Sequence, residues 1–84
     1  MESVMTIYEI TEDEIIFETM RDKLGVPANI DEMRNLADKI ALSAKRKIVD
    51  MFVDKEIISF TINKKASEDE IDIMWLKADE LILQ

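Results

Sequence analysis

The sequence contains neither cysteine nor histidine. The absence of cysteine excludes disulfides, thiolate metal sites and thiol chemistry, and the absence of histidine removes the commonest general base and the commonest transition-metal ligand. One glycine and one proline, Gly25 and Pro27, leave little room for hairpins or long loops, so the composition favours helix. Because no Gly-rich phosphate loop and no hydroxyl beside a general base is present either, we expect no enzymatic activity, no metal and no cofactor.

Long apolar runs are also lacking. No stretch approaches the roughly 18 apolar residues of a membrane span, and the N-terminus does not combine a basic region with an apolar one. We therefore expect no membrane contact, no signal peptide and a cytoplasmic location. The 84 residues suffice for one hydrophobic core, which predicts a single domain over residues 1–84.

The net charge of −8 discourages nonspecific contact with nucleic acid or an anionic membrane, and it is unevenly distributed. Residues 1–32 carry nine acids against two bases (−7), residues 33–65 four against eight (+4), and residues 66–84 six against one (−5). Two interpretations follow. Either the acidic ends fold back and partly neutralise the basic middle, or the basic middle stays free for an anionic partner.

The first segment, Ser3–Ile10, is rich in β-branched and aromatic residues and predicts a short strand. Thr11-Glu12-Asp13-Glu14 has the spacing of a capping box, in which the Thr hydroxyl and the Glu carboxylate each accept a backbone N–H at a helix start. This spacing predicts a helix from Thr11 to about Leu24, ended by Gly25 and Pro27.

The segment from Ile30 to Asp54 predicts the long helix against which the rest of the domain packs. Its apolar residues recur at steps of three and four, so they share one stripe of a helix with about 3.6 residues per turn. The stripe consists of Ile30, Met33, Ala37, Ile40, Ala41, Ala44, Ile48, Met51 and Phe52. A spacing nearer 3.6 than 3.5 argues against an extended coiled coil.

The C-terminal third predicts one strand and one helix. Lys55–Asn63 alternates apolar with polar residues and predicts a half-buried strand that pairs with the N-terminal strand or with a second subunit. Ser67–Glu70 repeats the capping box and starts a helix that runs to about Leu83. Beside the core stripe of this helix, Ile73, Leu76 and Leu83 form a second apolar side, which we interpret as a homodimer interface. The alternative is that the two strands and the first helix cover this side completely.

These elements predict an α+β fold, a helix-dominated small domain of order β-α-α-β-α with a two-stranded sheet. Two alternatives stay open, an all-α fold and a winged-helix-like arrangement. In the second alternative the long helix breaks near Leu42 and Ser43, and Ser43 caps a recognition helix that begins at Ala44.

The two acidic clusters, residues 11–15 and 67–71, have almost the same sequence. Helix capping explains both, and a Mg²⁺ or Ca²⁺ site is the alternative. Neither cluster has the spacing or the glycine of a calcium loop, so we assign no metal. We predict instead that the exposed acids of these helix starts contact a partner, together with the second side of the last helix. These acids are Glu12, Asp13, Glu68 and Asp69.

The sequence therefore predicts a small acidic non-catalytic module, regulatory or inhibitory, that acts by protein–protein contact as a homodimer and suits a basic target. The alternative is a winged-helix-like regulator that binds nucleic acid through the basic segment 45–65. Its phosphate-contacting residues would be Lys45, Arg46, Lys47, Lys64 and Lys65. A solvated face that supports acidic neighbours is the simpler interpretation of these five residues.

Overall fold

The computed structural model describes residues 5–19, 30–54 and 57–82. Its elements follow the order ββαββα: β1 (Met5–Ile10), β2 (Glu14–Thr19), α1 (Ile30–Ser43), β3 (Ile48–Val53), β4 (Ile57–Ile62) and α2 (Glu68–Ile82). The predicted α+β class is confirmed. The predicted order β-α-α-β-α with a two-stranded sheet is wrong, as are the all-α and winged-helix-like alternatives, because four strands form one sheet.

All neighbouring strands of the sheet are antiparallel, in the order β1-β2-β4-β3. Side chains alternate between the two faces of a strand, and one face, the inner face, carries the buried residues Ile10, Ile15, Phe17, Ile58, Phe60 and Ile62. Both helices pack on this face and add Met33, Ala37, Ile40, Ala41, Met74 and Ala78 to the same core. The opposite face, which neither described helix covers, is called the helix-free face below.

The predicted helix from Thr11 to Leu24 is wrong over its described part, which forms a hairpin turn and β2. The Thr11 N–H donates to the Glu14 carbonyl at 2.9 Å, and this bond closes a turn with two central residues between β1 and β2. The predicted helix end at Gly25 and Pro27 lies outside the described residues.

Packing against β4 explains why this segment is extended. Ile15 and Phe17 alternate onto the inner face, where both are fully buried. The Phe17 ring meets the Phe60 ring edge to face, with the ring centroids 5.8 Å apart. A six-residue segment rich in branched side chains carries only a weak helical signal, so these long-range contacts decide its conformation.

The prediction of one helix over residues 30–54 is wrong in its second half, because β3 follows α1. Lys45 has a left-handed φ of 59°. The N–H groups of Lys45 and Arg46 donate to the carbonyls of Leu42 and Ala41, each at 2.8 Å. These two bonds form the Schellman motif of a helix C-terminus, with lysine where glycine is usual. The sequence signal for a helix end is therefore missing.

A bulge in β3 explains why this strand resembles a helical stripe in the sequence. Ile48 and Met51 both pack against the core, although side chains three residues apart normally lie on opposite faces of a strand. The register shifts between Ile48 and Asp50, so one extra residue, Val49, restores the alternation. Branched side chains such as Val53 favour the extended conformation here.

Three predicted elements are confirmed: the first strand contains β1, the strand over residues 55–63 contains β4, and α2 begins after its capping residue Ser67. The Glu70 N–H donates to the Ser67 hydroxyl at 3.3 Å, and the Ser67 N–H donates to Glu70 Oε1 at 3.0 Å. The predicted pairing of the first strand with β4 is wrong, because β2 lies between them. No helix within the described ranges is long and apolar enough to cross a membrane.

Candidate protein-interaction surfaces

One end of the sheet brings the predicted acidic and basic residues together. The Glu12 carbonyl accepts the Ala66 N–H at 2.6 Å, and the Lys47 carbonyl accepts the Asn63 N–H at 3.0 Å. These bonds hold the β1–β2 turn, the α1–β3 connection and the β4–α2 connection side by side. We call this region, residues 11–14, 44–47 and 63–70, the charged end.

Two ion pairs at the charged end join the basic middle of the chain to its acidic flanks. Arg46 Nη2 lies 2.7 Å from Glu70 Oε1, and these side chains are 17% and 27% exposed. Arg46 also donates to the Lys65 carbonyl at 3.3 Å. Lys65 Nζ lies 3.6 Å from Glu12 Oε1 with both side chains largely exposed, a geometry that contributes only about 0–1 kcal/mol. Of these two ion pairs, the less exposed Arg46–Glu70 pair therefore contributes more to holding this end together.

The charged end also shifts the pKa of Glu70. The Ser67 N–H that donates to the carboxylate is the main cause of a pKa below the usual value of 4.5. Desolvation opposes this pKa shift, whereas the Ser67 hydroxyl and the Arg46 guanidinium add to it. Glu70 is thus a carboxylate that fixes the start of α2 and holds Arg46.

The five residues predicted for nucleic-acid contact, Lys45, Arg46, Lys47, Lys64 and Lys65, all lie at the charged end. The predicted partner contacts Glu12, Asp13, Glu68 and Asp69 are exposed at the same end. Acids and bases therefore interleave there, and Arg46 is already engaged by Glu70. Lys65 lies near Glu12 as well, so two of the five predicted bases already contact acids.

The helix-free face has the opposite character, because the four strands contain no lysine or arginine. All four acids of the strands lie on this face, since each is next along its strand to a residue that packs in the core on the opposite face. These acids are Glu9, Glu14, Glu18 and Asp50. Three of them are exposed, and Glu14 is half-buried because its Oε1 accepts a hydrogen bond from the Ser59 hydroxyl at 3.1 Å.

A row of three cross-strand partners, two of them apolar, crosses the centre of the helix-free face. Ile16 on β2, Ser59 on β4 and Phe52 on β3 are successive cross-strand partners. Phe52 is 65% exposed, and Ile57 at the start of β4 is 37% exposed. Phe52 and Ile57 are therefore exposed apolar side chains on a face that also carries carboxylates, which makes this face a candidate contact surface.

The outer side of the helices forms a second exposed apolar surface. On α2, Ile73 is 44% and Leu76 is 70% exposed, and Leu42 on α1 is 68% exposed. An open groove of about 490 Å³ separates the helices and is lined by Lys39, Leu42, Ser43, Lys77 and Leu81. Of the three residues predicted for a dimer interface, Ile73 and Leu76 lie on this outer side, and Leu83 lies outside the described residues.

Sequence reasoning missed the helix-free face because it assigned β2 and β3 to helices. The available signal was the two-residue periodicity of Glu14–Glu18, in which Ile15 and Phe17 alternate with outward residues. Within the described ranges, no group of three carboxylates converges as metal ligands. No protein-family model, curated protein sequence or solved structure matches this chain significantly. Its interaction surfaces must therefore be judged from their own geometry and charge.

Proposed function

We propose that the chain is a small acidic, non-catalytic module that regulates or inhibits a basic protein by direct contact. The helix-free face is its main contact surface in this proposal. The charge of the sheet supports it most directly, because the strands place four carboxylates and no base on the face that exposes Phe52 and Ile57. The proposal includes a cytoplasmic location, which fractionation of cells that produce the chain would test.

Electrostatics and burial have separate roles at such a surface. Carboxylates attract a partner that carries lysine or arginine, speed its association and select against acidic partners. The exposed Phe52 ring offers apolar area whose burial does not depend on salt. A partner that suits this face therefore combines basic side chains with apolar ones.

A matched pair of amide variants tests the proposal. The first variant removes the acids of the helix-free face: Glu9→Gln, Glu14→Gln, Glu18→Gln and Asp50→Asn. The control removes four acids from the helices, so both variants have the same net charge: Asp38→Asn, Asp72→Asn, Asp79→Asn and Glu80→Gln. The probe is a fluorescein-labelled heptapeptide of alternating lysine and valine, called the alternating peptide below, and the readout is fluorescence anisotropy.

We expect the first variant to bind the alternating peptide at least about tenfold more weakly than the control variant, a difference of about 1.4 kcal/mol. Equal affinities of the two variants would contradict the proposal. So would a salt-dependent gel shift with duplex DNA or single-stranded RNA that charge reversal at the five basic residues of the charged end abolishes, because that result favours the nucleic-acid alternative.

We also propose that the outer side of the helices forms a homodimer interface. Leu42, Ile73 and Leu76 supply its apolar contacts. The lysines of the groove and the acids of α2 lie beside them, so a two-fold arrangement lets each lysine face an acid of the second copy. Sedimentation velocity tests this proposal. A dimer that Leu76→Glu dissociates and Phe52→Glu leaves intact is expected, and a monomeric wild-type chain at tens of micromolar would contradict it.

A further inference from the structure

The outer edge of β3 has no neighbouring strand among the described residues. The Asp54 N–H donates to the Ile57 carbonyl at 2.8 Å, which fixes the pattern of the β3–β4 pairing. Because N–H and C=O groups alternate in direction along an antiparallel strand, the main chain of Phe52 faces β4 and that of Val53 faces away. The main chain of Met51 also faces away from β4, and its N–H donates to Asp50 Oδ1 at 2.9 Å.

Between Met51 and Val53 this edge lacks most of the features that usually prevent strand addition, and Asp50 is the charged side chain beside it. Edge strands are commonly blunted by lysine, by proline or by a bulge in the exposed part of the strand. β3 contains no lysine and no proline, and its bulge lies at its first residues, so the stretch Met51–Val53 stays regular. The side chains beside this stretch are exposed and apolar, with Val49 60%, Phe52 65% and Val53 40% exposed. The free edge therefore offers the outward main-chain groups of Val53 and apolar contact area, while the Met51 N–H is held by Asp50.

Charge indicates what kind of strand suits this edge. Asp50 is the acid of the helix-free face closest to the edge, and Glu14 and Glu18 lie behind it on β2. A second copy of the chain would bring another net charge of −8 and a second Asp50 to the same place. A strand with lysine or arginine on this side meets an attractive field instead.

We infer that the free edge of β3 accepts an extended segment of a basic protein as a fifth strand. The inference rests on the proposed function and specifies how the partner binds. The main-chain groups of Val53 and Met51 pair with the guest strand, and its alternate side chains point to opposite faces. Basic residues of the guest lie on the helix-free side beside Asp50 and Phe52, and apolar residues lie on the other side against Val53. The Asp50 carboxylate leaves the Met51 N–H and pairs with a guest cation.

Proline at Val53 tests the main-chain pairing. Val53→Pro removes an N–H that faces away from β4, so the native β3–β4 hydrogen bonds stay intact while the guest strand loses one of its two donors and meets the proline ring. Val53→Ala is the matched control, because it removes a similar amount of apolar contact and keeps the N–H. With the alternating peptide as the probe, we expect Val53→Pro to weaken binding at least about tenfold and Val53→Ala less than about threefold.

A second measurement avoids any dependence on how well Val53→Pro folds. The same peptide with every backbone amide N-methylated keeps its charge and side chains but cannot donate main-chain hydrogen bonds. The wild-type chain should bind this peptide at least about tenfold more weakly than the unmethylated one. In addition, hydrogen exchange at the Val53 amide should slow when the unmethylated peptide is bound.

Several outcomes would overturn the fifth-strand inference and can be told apart. Equal binding of both peptides, together with weakened binding by the amide variant of the helix-free face, would reject strand addition and leave the proposed function standing. No binding of either peptide by the wild-type chain would reject both. Concentration-dependent self-association that Val53→Pro abolishes and Val53→Ala preserves would assign the edge to a second copy of the chain.

Discussion

Two segments of nearly identical sequence adopt different structures in this protein. Thr11–Ile15 reads Thr-Glu-Asp-Glu-Ile and forms a hairpin turn, whereas Ser67–Ile71 reads Ser-Glu-Asp-Glu-Ile and starts α2. Both contain the same local bond, in which the N–H of the second glutamate donates to the hydroxyl of the first residue, at 3.1 Å and 3.3 Å. The local bond alone therefore does not distinguish a helix start from a turn.

The remaining bonds of the two segments differ. At the helix start, the Glu70 carboxylate accepts the Ser67 N–H, and the Ile71 N–H donates to the Ser67 carbonyl as in a regular helix. At the turn, the Glu14 main-chain carbonyl accepts the Thr11 N–H, and the Glu14 carboxylate reaches Ser59 on β4 instead. The residues that follow, and the strand available to pair with them, decide between the two structures.

Among the substitutions in these segments, removal of the Phe17 ring should lower the free energy of unfolding most, because the ring packs the strand after the turn against β4. We expect Phe17→Ala to lower the free energy of unfolding by about 3–5 kcal/mol, measured by urea denaturation. Ile16→Ala, on the opposite face of the same strand, should lower it by about 1 kcal/mol. Equal losses for the two variants would contradict the burial of Phe17 in the core.

Removal of the hydroxyl should lower the stability of the protein more at the helix start than at the hairpin turn. We expect Ser67→Ala to lower the free energy of unfolding by about 1 kcal/mol, because α2 loses its capping acceptor. Thr11→Ala should cost less than about 0.5 kcal/mol, because the main-chain bond that closes the turn does not need the hydroxyl. Thermal unfolding of the two variants measures the difference, and a larger loss for Thr11→Ala would contradict it.

The end of α1 adds a third case, in which no sequence signal marks the boundary. Lys45 occupies the left-handed position that glycine adopts without steric strain. We expect Lys45→Gly to raise the free energy of unfolding by about 0.5–1 kcal/mol, after the greater chain entropy of glycine is subtracted. Lys45→Ala keeps the strain and should stay within about 0.5 kcal/mol of the wild type. A destabilised Lys45→Gly variant would contradict the Schellman geometry.

The smallest expected effect is the pH dependence of the stability that Glu70 contributes. Because its pKa is lower in the folded state, the carboxylate contributes stability that is present above the usual value of 4.5 and is lost as pH falls through the folded value. The difference in melting temperature between wild type and Glu70→Gln should therefore shrink as the pH falls from about 6 to about 3. A constant difference over this range would contradict the role of Glu70 at the start of α2.

The comparison also explains how far the sequence could predict the fold. β4 and α2 were predictable, because strict alternation and a capping box are followed by residues that agree with them. β2 was not, since Thr11–Glu14 carries a helix-start signal and the partner strand lies more than forty residues away, as in the pairing of Ile15 with Phe60. β3 was not predictable either, because Lys45 replaces the expected glycine and the bulge at Val49 imitates helical spacing.

The candidate surfaces also differ in how far the sequence could predict them. Exposure of Ile73 and Leu76 could be predicted, because α2 itself was assigned correctly. The carboxylates of the helix-free face come together only when β1, β2 and β3 lie side by side, so they could not be grouped without the strand order. The basic residues of the charged end are grouped by the sequence itself, whereas their proximity to the acidic turn and to the start of α2 follows only from the fold.

We propose that a basic partner binds the helix-free face rather than the charged end or the outer side of the helices. An NMR titration of the ¹⁵N-labelled chain with the alternating peptide distinguishes the three surfaces. We predict that amide shifts concentrate in β2, β3 and β4, with the largest at Phe52 and Val53. Shifts confined to the groove between the helices, around Lys39 and Lys77, or to residues 63–70 would contradict the claim.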